Sequence, residues 1–193
     1  MNRLKGQITY LSSPMEHAPD GGVIWRKLVT PKFHSMGIGV IDPCDKPFLS
    51  VLNEDKSMRE EVAILKREGK FQEVRKIYKK IVSEDLRSTD LAMFLTVNLN
   101  MKHKPIGTLD EVFMASNQRK PVLLVCEDGK ENIPNWLFGR LNPDLFFSSF
   151  DEMFTFLRRV DSGEITPKGW LFFDYKKIFG FANERNIAWN TIK

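Results

Sequence analysis

The chain has 193 residues, 42% of them hydrophobic and 28% charged, which makes one domain around one well-buried core the expectation. Its 29 Lys and Arg against 25 Asp and Glu leave a formal charge of +4, and that small excess does not by itself point to nucleic acid. No apolar run approaches the roughly 20 residues of a membrane-spanning helix, so an integral membrane protein is not expected.

The first residues, MNRLKGQITYLSSP, carry positive charge but too short an apolar stretch for a secretory signal, so the mature chain is expected to start at Met1. Gln7 to Leu11 reads as a short strand, broken by Ser12-Ser13-Pro14 and the Asp20-Gly21-Gly22 turn. A helix-like stretch follows with Ile24, Trp25 and Leu28 on one side, and Pro31 is expected to kink or restart it before Gly37 ends it. Ile38 to Ile41 reads as a second strand closed by Asp42-Pro43. Ser57 suits the N-cap of a charged helix. From Phe71 a further helix places Val74, Ile77, Tyr78, Ile81, Val82 and Leu86 at the spacing of a buried stripe.

Leu91 to Val97 is a continuous apolar run, as expected of a strand covered on both faces. A helix over about Thr108 to Asn117 leads to a second such strand, Pro121 to Cys126, where the thiol is expected to act as a small hydrophobe. With Cys44 the only other cysteine, no disulfide framework is expected, and the setting reads as reducing and cytoplasmic. Leu145 to Phe147 reads as a third strand of this type, and Phe150, Met153, Phe154, Leu157 and Val160 mark a last amphipathic helix. Strands without polar alternation, interleaved with helices, predict a three-layer α/β/α fold with a central, mainly parallel sheet of Rossmann or flavodoxin type. Residues 1–162 form the predicted catalytic domain and 163–193 a C-terminal extension. In such sheets the ligand crevice lies at the carboxyl ends of the strands.

The extension is aromatic and basic. From Lys168 to Lys193 five basic residues face two acids among Trp170, Phe172, Phe173, Tyr175, Phe179, Phe181 and Trp189. Such a segment either grips phosphates and bases or straps onto a subunit neighbour with its lysines solvated; an interface or lid is the preferred expectation. Neither a Walker loop, a GxGxxG turn nor a Gly-x-Ser-x-Gly elbow is present. His17, His34 and His103 lie far apart without metal-ligand spacing, so neither metal nor cofactor is expected.

Three residues fall at predicted strand ends or crevice-facing positions. Thr108-x-x-Glu111 has the spacing of a capping box, in which the glutamate returns to the start of its own helix. The same carboxylate, near the positive end of the helix dipole, is also a usable anion at a strand-end crevice. Asp85 lies on the apolar stripe of its helix, seven residues after Tyr78, near a C-terminal end where negative charge is unfavourable. It pairs with Arg87, escapes to solvent, or serves chemistry. Tyr10 ends the first strand, where a tyrosine is either core or functional.

Together these segments resemble the nucleoside 2-deoxyribosyltransferase family and its nucleotide N-glycosidase relatives, over roughly residues 7–160. The resemblance rests on the strand ending in Tyr10, on Glu84-Asp85-Leu86-Arg87-Ser88-Thr89-Asp90-Leu91, and on Gly107-Thr108-x-x-Glu111-x-x-x-Ala115 followed by Lys120 to Val125. Pro14-Met15-Glu16 with Asp20-Gly21-Gly22 and Trp25-Arg26 is similar to a variant first loop that lacks the usual glycine. It implies Glu111 as nucleophile, Tyr10 as the tyrosine touching it, Asp85 as the active-site aspartate, and substrate contacts from Ser12, Ser13, Pro14, Asp20, Trp25, Gly107 and Thr108.

The implied substrate is a small nucleoside or nucleotide and the implied assembly a homo-oligomer, with nucleic acid left only to the tail. Two departures bear on specificity. Lys104-Pro105-Ile106 stand where base-exchanging members carry acids before the glycine, and Pro14 and Glu16 stand where monophosphate hydrolases place a serine and an arginine. Ser12, Ser13 and Arg26 are the substitutes at hand for a phosphate. The resulting expectation is an N-glycosyl transferase or hydrolase. Its alternatives are a hydrolase of a nucleoside 5′-monophosphate or dinucleotide, and a module that binds nucleosides without turnover.

Overall fold

Five short strands, Ile8–Ser12 (β1), Gly39–Ile41 (β2), Phe94–Asn98 (β3), Val122–Val125 (β4) and Phe146–Phe147 (β5), form one all-parallel sheet in the order β2-β1-β3-β4-β5. The computed structural model describes residues 2–16, 18–45 and 56–173. Among the described residues, helices Val23–Ser35 (α1), Lys56–Arg67 (α2), Phe71–Leu91 (α3), Ile106–Asn117 (α4), Asn135–Phe138 (α5) and Phe150–Ser162 (α6) connect or cover the strands. The architecture is the three-layer α/β/α fold, and its strand order is that of the flavodoxin-like doubly wound sheet.

Alternation along each strand divides the core into two layers. Leu11, Phe94, Leu123, Val125 and Phe147 face α1 and α6, where Val29, Phe33, Phe154 and Leu157 are buried. Tyr10, Leu95, Val97, Leu124 and Phe146 face the side of α4, with Val112 and Ala115. Because both faces are covered, β3 and β4 carry apolar residues almost without interruption.

Several boundaries differ from the sequence expectation for local physical reasons. On α1 the buried line is Trp25, Val29 and Phe33, while Ile24 and Leu28 are 63% and 66% exposed. The helix also runs unbroken through Pro31, whose interior position costs about 3 kcal/mol and is offset by the burial of Val29 and Phe33 on either side. α2 already includes Lys56, the first described residue of this stretch, so Ser57 lies inside the helix. α3 continues to Leu91, which removes Leu91 from the strand, and Ser88 and Thr89 are buried in its last turns.

The extension also differs from a separate strap where it is described. Trp170 and Phe172 are buried in the α1/α6 layer, with Trp170 stacked on Phe94 at 6.3 Å and on Phe173 at 5.7 Å. Arg3 closes this edge, its guanidinium 4.5 Å from the Phe173 ring and its Nη1 donating to the Ile165 carbonyl. Phe94 is the first residue of β3, so residues 163–173 pack at the amino end of the sheet, away from the crevice. Tyr175, Phe179, Phe181, Trp189 and the other residues of the tail from Asp174 onward, like His17, lie outside the described residues.

Candidate active site

The site begins with two adjacent facts of spacing. Tyr10 and Ser12 are two residues apart on β1 and therefore point to the same face, and that face is covered by α4. On α4 the buried positions are Thr108, Glu111, Val112 and Ala115, one stripe at helical spacing. The Tyr10 hydroxyl donates to Glu111 Oε1 at 2.9 Å, and the Ser12 hydroxyl donates to Glu111 Oε2. Each carboxylate oxygen thus has one hydroxyl partner from β1.

The capping box does not form. α4 starts at Ile106, with Pro105 at its N-cap and no side-chain cap, so Thr108 is already the third helical residue and Glu111 the sixth. A glutamate one turn further in cannot reach the N-cap amide, and its carboxylate turns instead into the protein. Its electrostatics change accordingly. Glu111 is 7% exposed, and its carboxyl is pushed up to about 8, first by burial and further by the charge of Asp85, against the hydrogen bonds from Ser12 and Tyr10 and the charge of Arg26. The ionised form favoured by a first-turn position is therefore not the favoured form at neutral pH. Burial also raises the Tyr10 phenol well above its usual range, with Glu111 and Asp85 adding to the effect, so Tyr10 remains a proton donor.

In front of Glu111 lies a cavity of about 650 Å³. Tyr10, Ser13, Pro14, Asp85, Gly107, Thr108 and Glu111 all line it. Tyr78, Ile81, Val82 and Asp85 supply its α3 wall, at the spacing i, i+3, i+4 and i+7 of a single helical face. The stripe expected to be buried core is in this part a cavity wall, and Val82 is accordingly 45% exposed. Asp85 therefore has a place on an apolar stripe because the stripe fronts open space.

Ser12 sits behind Glu111, reaching it by its hydroxyl. Asp20 and Trp25 line a different, neighbouring cavity of about 450 Å³. Asp20 is engaged with its own chain, its Oδ1 accepting from the Gly22 amide at 3.0 Å and its Oδ2 from the Ile24 amide at 2.8 Å. Burial opposes ionisation there, but the amides of Ile24 and Gly22 prevail and hold the carboxyl below its usual value. Trp25 donates from Nε1 to Ser13 Oγ at 3.0 Å and stacks on Phe150.

Arg26 is the residue whose weight the sequence understated. It is fully buried, with Nη1 donating to the Gly22 carbonyl at 2.6 Å and Nη2 to the Leu11 carbonyl at 3.2 Å, and Nε lies 3.5 Å from Asp42 Oδ1. It lines the Glu111 cavity, and its positive charge acts on Glu111 against that of Asp85. Gly22 makes room for it: its φ is +75°, and a Cβ there would stand 2.5 Å from Arg26 Nη1. The available signal was Gly22 followed by Arg26 one helical turn later, which spacing alone does not distinguish from an exposed arginine.

Among the described residues no three His, Cys, Asp or Glu side chains gather as metal ligands would, and no helix is long and apolar enough to cross a membrane. In comparisons with known proteins, the chain matches no family model and has no significant match among curated proteins. The fold and the site define a doubly wound α/β protein with a buried, hydroxyl-held glutamate at the carboxyl end of β1.

Proposed function

We propose that this protein cleaves or transfers the N-glycosidic bond of a nucleoside-like substrate through Glu111. The observation that carries the reading is a buried carboxylate held by two hydroxyls and facing a cavity of nucleoside-accommodating size, whose lining includes a second carboxylate, Asp85. Such an arrangement spends burial energy on a group that does no structural capping, as expected where the group reacts.

Breaking the bond between C1′ and the base nitrogen develops positive charge on the sugar ring. An anion at C1′ stabilises that charge and then bonds to the carbon. In the first step the Glu111 oxygen forms a bond to C1′ while the C1′–N pair leaves with the base. In the second, water or another base attacks C1′ and the carboxylate is released; two displacements retain configuration, by analogy with retaining glycosidases.

Tyr10 and Ser12 orient both carboxylate oxygens, and their hydrogen bonds favour the ionised nucleophile. Arg26 offsets the negative charge that Asp85 adds. Asp85, which lines the same cavity, holds a sugar hydroxyl or protonates the departing base in this reading.

Incubation with deoxynucleosides, with and without a free acceptor base, tests the reading by chromatography of released or exchanged base. The expectation is base release or exchange that Glu111→Ala abolishes. Full activity in Glu111→Ala refutes the nucleophile, and thermal stabilisation by nucleosides without turnover supports a binding module instead.

A further inference from the structure

The Glu111 cavity has a neighbour. The cavity of about 450 Å³ lies between α1 and the start of α6, and Ser13, Pro14 and His103 line it as well as the Glu111 cavity. Three residues are thus a common wall. The pair straddles the point where β1 and β3 send their chains to opposite faces of the sheet, and a crevice of this kind accommodates two-part ligands in doubly wound folds.

The two cavities differ in chemistry. The Glu111 side presents carboxylates against an apolar helix face. The second side has an apolar floor, where Trp25 lies flat on Phe150 with ring centroids 5.2 Å apart, and an apolar rim of Ile24 and Leu28, both about two-thirds exposed. Its charged lining is Asp20, Glu127, Asp151 and Lys32, and Lys32 is already paired with Asp151 at 2.9 Å. A terminal phosphate would meet Asp20, Glu127 and a lysine–aspartate pair with no cation to spare, whereas an uncharged ring would meet apolar surface. On the common wall Ser13 Oγ accepts from Trp25, which leaves its own hydroxyl hydrogen to donate, and His103 lines both cavities with it.

We infer that the substrate is a dinucleotide: one nucleoside places its glycosidic bond at Glu111, and a second nucleoside, joined through a 5′,5′-pyrophosphate lying over Ser13 and His103, occupies the cavity of Trp25, Ile24 and Leu28. This rests on the reading of Glu111 given above and names the substrate class for it. The same charges disfavour nucleoside mono- and triphosphates, whose anionic ends would project toward Asp20, Glu127 and Asp151.

Calorimetry on the full chain carrying Glu111→Gln, which binds without consuming ligand, tests it. The probes are 2′-deoxyadenosine and 2′-deoxycytidine, their 5′-monophosphates, and the same deoxynucleosides joined to adenosine by 5′,5′-pyrophosphate. The dinucleotide is expected to bind at least about tenfold more tightly than the monophosphate of its series, a difference of about 1.4 kcal/mol. Adding Ile24→Ser and Leu28→Ser, at two exposed positions, is expected to lower that affinity ratio toward one, with nucleoside binding on the same variant reporting that the protein is folded. A monophosphate that binds as tightly as the dinucleotide, or a ratio that the double substitution leaves in place, overturns the second subsite alone. Binding of none of the probes overturns the nucleoside reading of the Glu111 cavity, and this inference with it.

Discussion

The starts of α4 and α6 carry the same four-residue pattern, a hydroxyl residue followed three positions later by glutamate. At α6, Ser149 is the N-cap and accepts from the Glu152 amide at 3.1 Å, while Glu152 accepts from the Ser148 amide at 2.6 Å and from Lys130 at 2.8 Å. The Lys130 bond and the Ser148 amide hold the Glu152 carboxyl below its usual value. At α4 the helix has already begun two residues before Thr108, and Glu111 is given to Tyr10 and Ser12 across the layer, with burial pushing its carboxyl up to about 8. One glutamate stabilises the helix it belongs to. The other is withheld from its helix and kept protonated near neutral pH at a cost in stability whenever it ionises.

The sharpest way to break the comparison is to neutralise each glutamate. Glu111→Gln keeps a polar group for Tyr10 and Ser12 but cannot bond to C1′, and turnover is expected to fall by more than about 1,000-fold. The same substitution is expected to raise stability in alkali. A carboxyl whose folded value is raised binds its proton more tightly in the folded state, so the stability it contributes is complete below the ordinary carboxylate range and is lost as pH rises through about 8. Thermal melts should therefore place the variant above the parent at pH 9 and close to it at pH 4. Glu152→Gln, which loses an ion pair and weakens a cap, is expected to move the other way, destabilising at both neutral and alkaline pH.

A second test sharpens the contrast between the two ends of the sheet. Truncation after Gly163 removes Trp170 and Phe172 from the α1/α6 layer, and loss of buried aromatic side chains costs about 3–5 kcal/mol each. The truncated chain is expected to melt far below the parent, read by circular dichroism. An unchanged melting temperature would show that these aromatics are not part of the core.

Smaller effects separate the hydroxyls. kcat/KM is expected to rise with pH and level off above the free-enzyme value of Glu111, about 8, because only the ionised carboxylate attacks. Tyr10→Phe removes a hydrogen bond that favours the ionised form, so the midpoint is expected to move to higher pH and the rate at pH 7 to fall about tenfold. A pH profile that stays in place would leave Tyr10 with packing alone. Ser149→Ala, which removes the working cap of α6, is expected to cost about 1 kcal/mol by denaturant unfolding without shifting that profile.

These pairs also explain how much was legible in the sequence. β3 and β4 announce a parallel sheet because strands covered on both faces read as unbroken apolar runs, and the alternation with helices follows. The last turns of α3 were not legible, since Ser88-Thr89-Asp90 has little helix propensity, and Ser88 and Thr89 are buried against the rest of the protein. Trp170 read as part of a strap because the rings that bury it from other elements, Phe94 and Phe156, are not its sequence neighbours.

At the site, Glu111 and Asp85 could be singled out by residue type and spacing, but whether Glu111 caps its helix turns on a two-residue shift of the helix start, which Thr108-x-x-Glu111 does not encode. Asp85 was an anomaly on an apolar stripe until the stripe became a wall. The burial of Arg26 depends on Gly22, Leu11 and Asp42 converging from three segments, a coincidence that no local pattern reports.

The central claim, that Glu111 bonds to the anomeric carbon, is tested most directly by mass spectrometry of protein quenched in acid during turnover of a substrate deoxynucleoside. The account predicts a peptide containing Glu111 heavier by one deoxyribosyl group, absent from Glu111→Gln. Base release with no such adduct, undiminished in Glu111→Gln, would contradict it.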